Sequence, residues 1–285
     1  IGSGLVGSEM CIRDRYCTVT LVNKAMLNIT ECPNLRDLGG IRTKNGMVKP
    51  MRLIRSGALW RISNTAALGQ LSAVFDMRSE NERSFHPDPA FPSADYIHIQ
   101  VSESGRREFT QSKRTFEDKV DDILAGYYRG EQSASERMRE VYRSIVLSEN
   151  TAVCIRGIIR AVNAERGAVL FHCATGKDRA GVVAALLLRF LGADDAAIYA
   201  DYIRTNETLE HELAQAYSLA MAKSGNDKAA ASYVLGFFAA CPCWLTAALD
   251  TLDSNFGSSA EYAANIVGVS EGEVANFIRT CVEHF

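Results

Sequence analysis

Short apolar runs alternate with longer amphipathic stretches from about residue 28 onward. Met51–Ile54, Leu71–Phe75, Tyr96–Val101 and Ala168–Phe171 are brief and rich in strand-forming residues, and are predicted as strands. The last run is apolar at every position behind Gly167, as expected of a central strand covered on both faces. Thr151–Glu165 carries Ala152, Ile155, Ile158, Ile159 and Val162 on one stripe and is stopped by Gly167, the pattern of a helix laid on a core. Ala180–Leu191 is apolar nearly all round, which predicts a buried helix ended by Gly192. Ser270 and Glu273 form a capping box before Val274, Phe277, Ile278 and Cys281. Strands alternating with helices give an α/β fold with a central, mostly parallel sheet flanked by helices.

Two stretches interrupt that rhythm. Residues 103–148 are densely charged, with Phe116, Tyr127, Tyr128 and Tyr142 among the charges. They read as a helical insertion, a solvated helical pair by preference and a substrate lid as the alternative. Residues 205–285 hold helices with no strand candidate, a helical subregion packed on the sheet. The organisation expected is one domain over residues 16–285. Residues 1–15 stand apart, because Gly4 to Arg15 resembles a translated sequencing-adapter scar. They lack the basic start and long apolar centre of a signal peptide, so they read as a non-native leader.

Composition narrows the function class more than the fold. The 285 residues are 47% hydrophobic and 23% charged, enough to bury a core without disulfides. The eight cysteines therefore read mostly as small buried hydrophobes in a reducing compartment, and the cytoplasm is the expected location, with secretion left open by the N-terminus. Their spacing is irregular, and Cys241-Pro-Cys243 is too tight for a C-x₂-C zinc knuckle. His86, His98, His211 and His284 show no metal spacing either, so neither a metal nor another cofactor is expected. A net charge of −3 gives no electrostatic ground for a nucleic-acid partner. No apolar run approaches the roughly 20 residues that cross a bilayer, so no transmembrane segment is expected.

The chemistry concentrates in Val169-Leu-Phe-His-Cys173-Ala-Thr-Gly-Lys-Asp-Arg179-Ala-Gly181. It reads as buried strand, short loop, then the start of a buried helix. A helix N-terminus offers N–H groups and the positive end of the dipole to an anion. Gly176 lets the loop turn inward, and Arg179 can fork two hydrogen bonds onto a phosphate. A sulfur at the mouth of such a loop is favoured as thiolate. Cys173 would attack phosphorus to give a cysteinyl-phosphate that water then hydrolyses, with loop amides and Arg179 meeting the charge on the equatorial oxygens. Ala174, Thr175, Gly176, Lys177 and Ala180 complete the substrate-binding loop. The leaving oxygen needs an acid. Asp178 is the first candidate and Asp76, at the end of a predicted strand, the second.

His172-Cys173-x₅-Arg179 resembles the signature of the protein-tyrosine-phosphatase superfamily. Gly176-Lys177-Asp178-Arg179 is similar to the variant in the atypical, mostly bacterial and fungal tyrosine phosphatases, some of which act on phosphoinositides. Asn34-Leu-Arg-Asp-Leu-Gly-Gly40, Arg55-Ser-Gly57, Asp76-Met-Arg-Ser-Glu80 and Asp201-Tyr-Ile-Arg-Thr-Asn206 fit the same family in order and spacing. The resemblance implies a protein-tyrosine-phosphatase-like fold and a metal-independent phosphatase. Phosphotyrosine proteins would be its substrates, with phosphoserine, phosphothreonine or phosphoinositides beside them, and inorganic phosphate its product. It implies that Cys173 is the nucleophile, Arg179 the phosphate ligand and Asp178 the acid, with Lys177 tied to multiply charged substrates. One position departs. The family has Thr or Ser after the arginine, where its hydroxyl helps the thiolate leave, and this chain has Ala180. A slowed second step is expected, with Thr175 as a stand-in hydroxyl.

Rival readings have sequence tests. A nucleotide P-loop needs Ser or Thr after Gly-Lys, and Asp178 stands there. A rhodanese-type loop is shorter and has no Lys-Asp pair. A pseudophosphatase that binds phosphoesters without turnover is encouraged by Ala180 alone and opposed by the retained Cys173, Asp178 and Arg179. His172 is expected to orient the loop, and Asp76 with Arg78 either to form a strand-end ion pair or to touch the site. Arg36 and Asp37 are expected to fix the turn at Leu38-Gly39-Gly40, with support of the loop from behind as the alternative.

Overall fold

Four parallel strands and one antiparallel edge build the sheet that carries the loop. In the computed structural model, which describes residues 32–101 and 115–284, the strand order is β1 (Arg36–Asp37), β4 (Leu53–Ser56), β7 (Ala168–His172), β5 (Leu71–Asp76) and β6 (Asp95–His98). β1 runs antiparallel to β4, and β4, β7, β5 and β6 run parallel. β7 is buried at all five positions, as a central strand covered on both faces must be. Leu53, Ala73, Phe75, Val169 and Phe171 face the main core, while Ile54, Val74, Ala168 and Leu170 face a second cluster with Leu59, Ile62 and Leu68. The register sets Ser56, His172, Asp76 and His98 side by side at the carboxyl edge of the sheet. That edge is where open parallel sheets bind ligands.

The helices follow in chain order: α1 (Glu80–Phe85), α2 (Phe116–Tyr128), α3 (Ala134–Leu147), α4 (Glu149–Asn163), α5 (Arg179–Phe190), α6 (Asp195–Thr208), α7 (Glu210–Lys223), α8 (Lys228–Phe238), α9 (Pro242–Phe256), α10 (Ser259–Tyr262) and α11 (Glu271–Cys281). α4 lays Ala152, Ile155, Ile158, Ile159 and Val162 on the core, and α5 is buried almost all round. The capping box of Ser270 and Glu273 opens α11. Cys154 and Cys281 are both core residues.

Three expectations need correction. The segment Ala134–Leu147 is no solvated helix, because Met138, Val141, Tyr142, Ile145 and Val146 enter the main core while its charges point outward. α2 likewise packs Val120 and Leu124 against Ala220, Ala230, Ala231 and Val234 of α7 and α8. Residues 103–114 of that insertion, and the expected leader, lie outside the described residues. The C-terminal region does hold a strand: β8 (Val282–His284) pairs with β3 (Gly46–Val48), which pairs with β2 (Arg42–Thr43) in a small antiparallel sheet. Finally, Met51 adopts a left-handed φ of 56° in a turn, so β4 begins at Leu53 rather than Met51. No single helix among the described residues is long and apolar enough to cross a membrane. α8 and α9 together reach that length but bend by 45°. α9 spends Trp244, Leu245, Ala248, Leu249 and Leu252 on the core.

Candidate active site

Cys173 follows β7 directly, and Arg179 opens α5, so the intervening loop spans the carboxyl edge of the sheet. Three of its carbonyls are bonded to partners outside the loop. Ala58 N donates to Ala174 O at 3.0 Å, Asn34 Nδ2 to Thr175 O at 3.3 Å, and Arg55 Nη2 to Gly176 O at 2.7 Å. In a trans peptide the next N–H points opposite to the carbonyl. The N–H groups of Thr175, Gly176 and Lys177 therefore face the inner side of the loop, toward the start of α5. Three inward amides at a helix N-terminus make an anion site. The turn depends on Gly176, whose φ is +70° and whose absent Cβ would lie 2.7 Å from the backbone of Ser56 and Gly57. Gly176→Ala is expected to cost roughly 1–3 kcal/mol of stability and to weaken inorganic phosphate binding, read by thermal melts and calorimetric titration.

The buttress behind the loop is a buried charge cluster. Asp201 of α6 receives Arg36 Nε at 2.7 Å and Arg55 Nη1 at 2.5 Å. Burial opposes its charge, but the two guanidiniums outweigh that and hold its carboxyl well below the usual carboxylate range. Burial, together with the neighbouring Arg55 charge, pushes Arg36 down to about 10. Arg36 also reaches Asn34 Oδ1, and Thr208 Oγ1 donates to the same oxygen at 2.9 Å. Arg36 is thereby linked to the loop through Asn34 and through Asp201 and Arg55, in keeping with the alternative expected of it, and its side chain makes no bond to Leu38, Gly39 or Gly40 among the described residues. Asp37 bonds into that turn, accepting from Gly39 N at 2.9 Å and Met51 N at 2.6 Å.

Asp76 and Arg78 form a second cluster at the strand ends. Arg78 donates through Nε and Nη2 to both oxygens of Asp76 at 2.9 Å, and through Nη2 to Asp88 at 2.6 Å. Tyr96 donates to Asp76 at 2.7 Å. His172 Nε2 stands 3.1 Å from Asp88 and 3.7 Å from Asp76, and its Nδ1 lies 3.4 Å from Cys173 O. Burial disfavours the Asp76 charge, but the Arg78 hydrogen bonds and the His172 and Arg78 charges prevail and keep it well below the usual range. A group held ionised in this way makes a poor proton donor. Asp76, Asp88 and His172 are close enough to suggest a metal site, yet the Arg78 guanidinium already occupies the cation's place.

Asp178 is buried, and its Oδ1 accepts from Tyr142 Oη at 2.9 Å; Tyr142 in turn lies 2.6 Å from Tyr202 Oη. Burial, with the Asp178 charge next, pushes both phenols far above their ordinary value, so they stay protonated and able to donate. Lys177 turns its Nζ to Phe237 O at 2.7 Å and Ala239 O at 3.2 Å, at the end of α8 and over the Trp244 ring. Ala174 is half-buried, Thr175 exposed and Ala180 fully buried in the first turn of α5.

The structure thus brings Cys173, Asp178, Arg179 and the loop amides together and sets Asp76, Arg78 and His172 beside them. Sequence reasoning missed Glu82, Asp88, Tyr142 and Tyr202. Ser79-x-x-Glu82 was visible as a capping box, and Tyr142 shares the apolar stripe of α3. Asp88, between two prolines, carries no signal.

Known proteins are similar to the chain in sequence. The chain is 26% identical over 265 residues to the triple specificity protein phosphatase PtpB of Mycobacterium tuberculosis, covering 85% of this chain and 93% of that protein. It is 28% identical over 254 residues to a Cupriavidus necator protein provisionally named a tyrosine-protein phosphatase, covering 85% and 84%. A tyrosine-protein phosphatase of Nostoc commune is 26% identical over 164 residues, 55% of this chain and 49% of its own length. The family model of the tyrosine phosphatases matches residues 27–283, and the chain belongs to that family as a phosphatase.

Proposed function

We propose that this chain hydrolyses phosphate monoesters through a cysteinyl-phosphate formed on Cys173. The observation that carries the reading is the loop 174–176, whose three carbonyls bond to partners outside the loop, which leaves the amides that follow them to meet an anion beside the sulfur. The thiolate of Cys173 attacks phosphorus in line, and the P–O bond to the leaving group breaks as the S–P bond forms. Arg179 and the loop amides hold the equatorial oxygens. Tyr142 holds Oδ1 of Asp178 and leaves Oδ2 to hand a proton to the leaving oxygen. Water then attacks phosphorus, the S–P bond breaks to return the Cys173 thiolate and release inorganic phosphate, and the same carboxylate takes the proton from the water. Six free cysteines among the described residues fit a reducing compartment such as the cytoplasm.

The substrates read from the loop are phosphotyrosine proteins first, with phosphoserine, phosphothreonine and phosphoinositides as further substrates, and a relative whose name carries triple specificity is in keeping with more than one class. Phosphate release from each class, measured side by side, ranks them. The acid is tested by leaving-group dependence. Asp178→Ala should lose about 10²–10⁴-fold in kcat on an alkyl or phenyl phosphate, and far less on an aryl phosphate whose leaving group needs no proton. Equal losses on both would remove Asp178 from the role.

A further inference from the structure

The fork of Arg179 is gripped from outside its own loop. Nη1 and Nη2 donate to the two carboxylate oxygens of Glu82 at 2.8 and 2.9 Å, and Nη1 also donates to Met77 O at 3.1 Å. Such a bidentate pair sets the plane of a guanidinium as well as its position. Glu82 is itself held. Its Oε2 accepts from Ser79 N at 2.8 Å, and its own N–H donates to Ser79 Oγ at 3.2 Å, so the residue is the third position of the capping box that opens α1. α1 begins just after β5, which pairs with β7, so cap, sheet edge and loop form one connected frame. The grip is end-on, through both terminal nitrogens, and a phosphate received along the Nε side would not displace it.

We infer that Glu82 is a positioning residue for the phosphate clamp, orienting the Arg179 guanidinium so that the loop receives a phosphate monoester. The inference rests on the reading of residues 173–179 as the phosphate site. A carboxylate beside an anion site could instead act as a competitor for Arg179. The two roles differ in sign: losing a positioner weakens phosphate binding, whereas losing a competitor strengthens it.

Glutamine serves the third position of a capping box as glutamate does. Glu82→Gln therefore keeps the cap of α1 but puts an amide N–H₂ against one guanidinium nitrogen. Glu82→Ala loses cap and grip together. The readouts are kcat and KM on a phosphotyrosine peptide, inorganic phosphate affinity by calorimetry, and thermal midpoint. For Glu82→Gln, kcat/KM should fall about 10- to 100-fold, as misplacement of a catalytic group by a fraction of an ångström to one ångström does. Phosphate affinity should weaken in parallel, while the midpoint stays within about 2 °C of the parent. Glu82→Ala should match Gln in kinetics and melt lower. Unchanged kinetics and phosphate affinity in Glu82→Gln would overturn the inference, and tighter phosphate binding would replace it with competition. If the parent shows no turnover, the phosphatase reading fails while the phosphate titration still decides the role of Glu82. A parent that binds no phosphate would remove both.

Discussion

Cys173→Ser should abolish phosphate release from a phosphotyrosine peptide, a loss of at least about 10⁴-fold in kcat, while leaving inorganic phosphate bound to the loop. The serine hydroxyl keeps the size of the thiol but stays protonated and is a far weaker nucleophile. The binding elements do not pass through the sulfur. The amides of Thr175, Gly176 and Lys177 are aimed by the carbonyl bonds to Ala58, Asn34 and Arg55, and Arg179 by Met77 and Glu82. Binding and turnover should therefore separate cleanly in this variant. Acid quench of the parent during turnover of labelled substrate should trap phosphate on the protein, and the same quench of Cys173→Ser should not. The trapped fraction should be large, because Ala180 offers no hydroxyl to assist departure of the thiolate from the phosphoenzyme. Residual turnover near the parent rate would rule out the cysteinyl intermediate. Loss of phosphate binding together with turnover would mean that the sulfur shapes the loop as well as attacking.

The loop was legible in the sequence because nucleophile, cradle and clamp lie in one contiguous stretch, where local rules for strand, glycine turn and helix start decide the geometry. The same holds for α4, α5 and β7, whose apolar patterns need no partner to be recognised. What holds the loop was legible only as the alternative role of Arg36, without its partners. Asp201 meets Arg55 across 146 positions and Arg36 across 165, and nothing local distinguishes those residues from surface charges. The capping box of Ser79 and Glu82 can be read from spacing, but its second use, gripping Arg179, exists only once β5 and β7 pair. In α3 the stripe Met138, Val141, Tyr142, Ile145 and Val146 had a helical period, yet the surrounding charge hid it and the segment read as solvated. β8 follows α11 directly and spans three residues, too short for a period to show. Legibility tracked the range of the interactions, and the buttress is the long-range part.

That buttress sets the second large effect. Asp201→Asn should destabilise the fold by about 3–5 kcal/mol, because the variant leaves the Arg36 and Arg55 guanidiniums buried without a counter-charge. The amide would still accept a hydrogen bond but would also present an N–H₂ to one of the two arginines. Function should fall with stability even in the folded fraction. Arg55 holds Gly176 O at 2.7 Å while Asp201 holds Arg55, so freeing that guanidinium releases the carbonyl that aims an inward amide. Weaker phosphate affinity at a temperature where the variant is folded would show this directly, whereas parent-like affinity would mean the cluster is structural only. The pH dependence gives an independent check. The native carboxyl of Asp201 is held below its unfolded value of about 3.9, so the unfolded chain binds the extra proton in the window beneath pH ~5. Its contribution is fully present above that window and is lost as pH falls toward the depressed native value. Denaturant unfolding of the parent should therefore weaken with acid more steeply below pH ~5 than that of Asp201→Asn, with a constant gap between them from about pH 5 to 8. Parallel curves down to about pH 3 would show that Asp201 is not the ionised centre of the cluster.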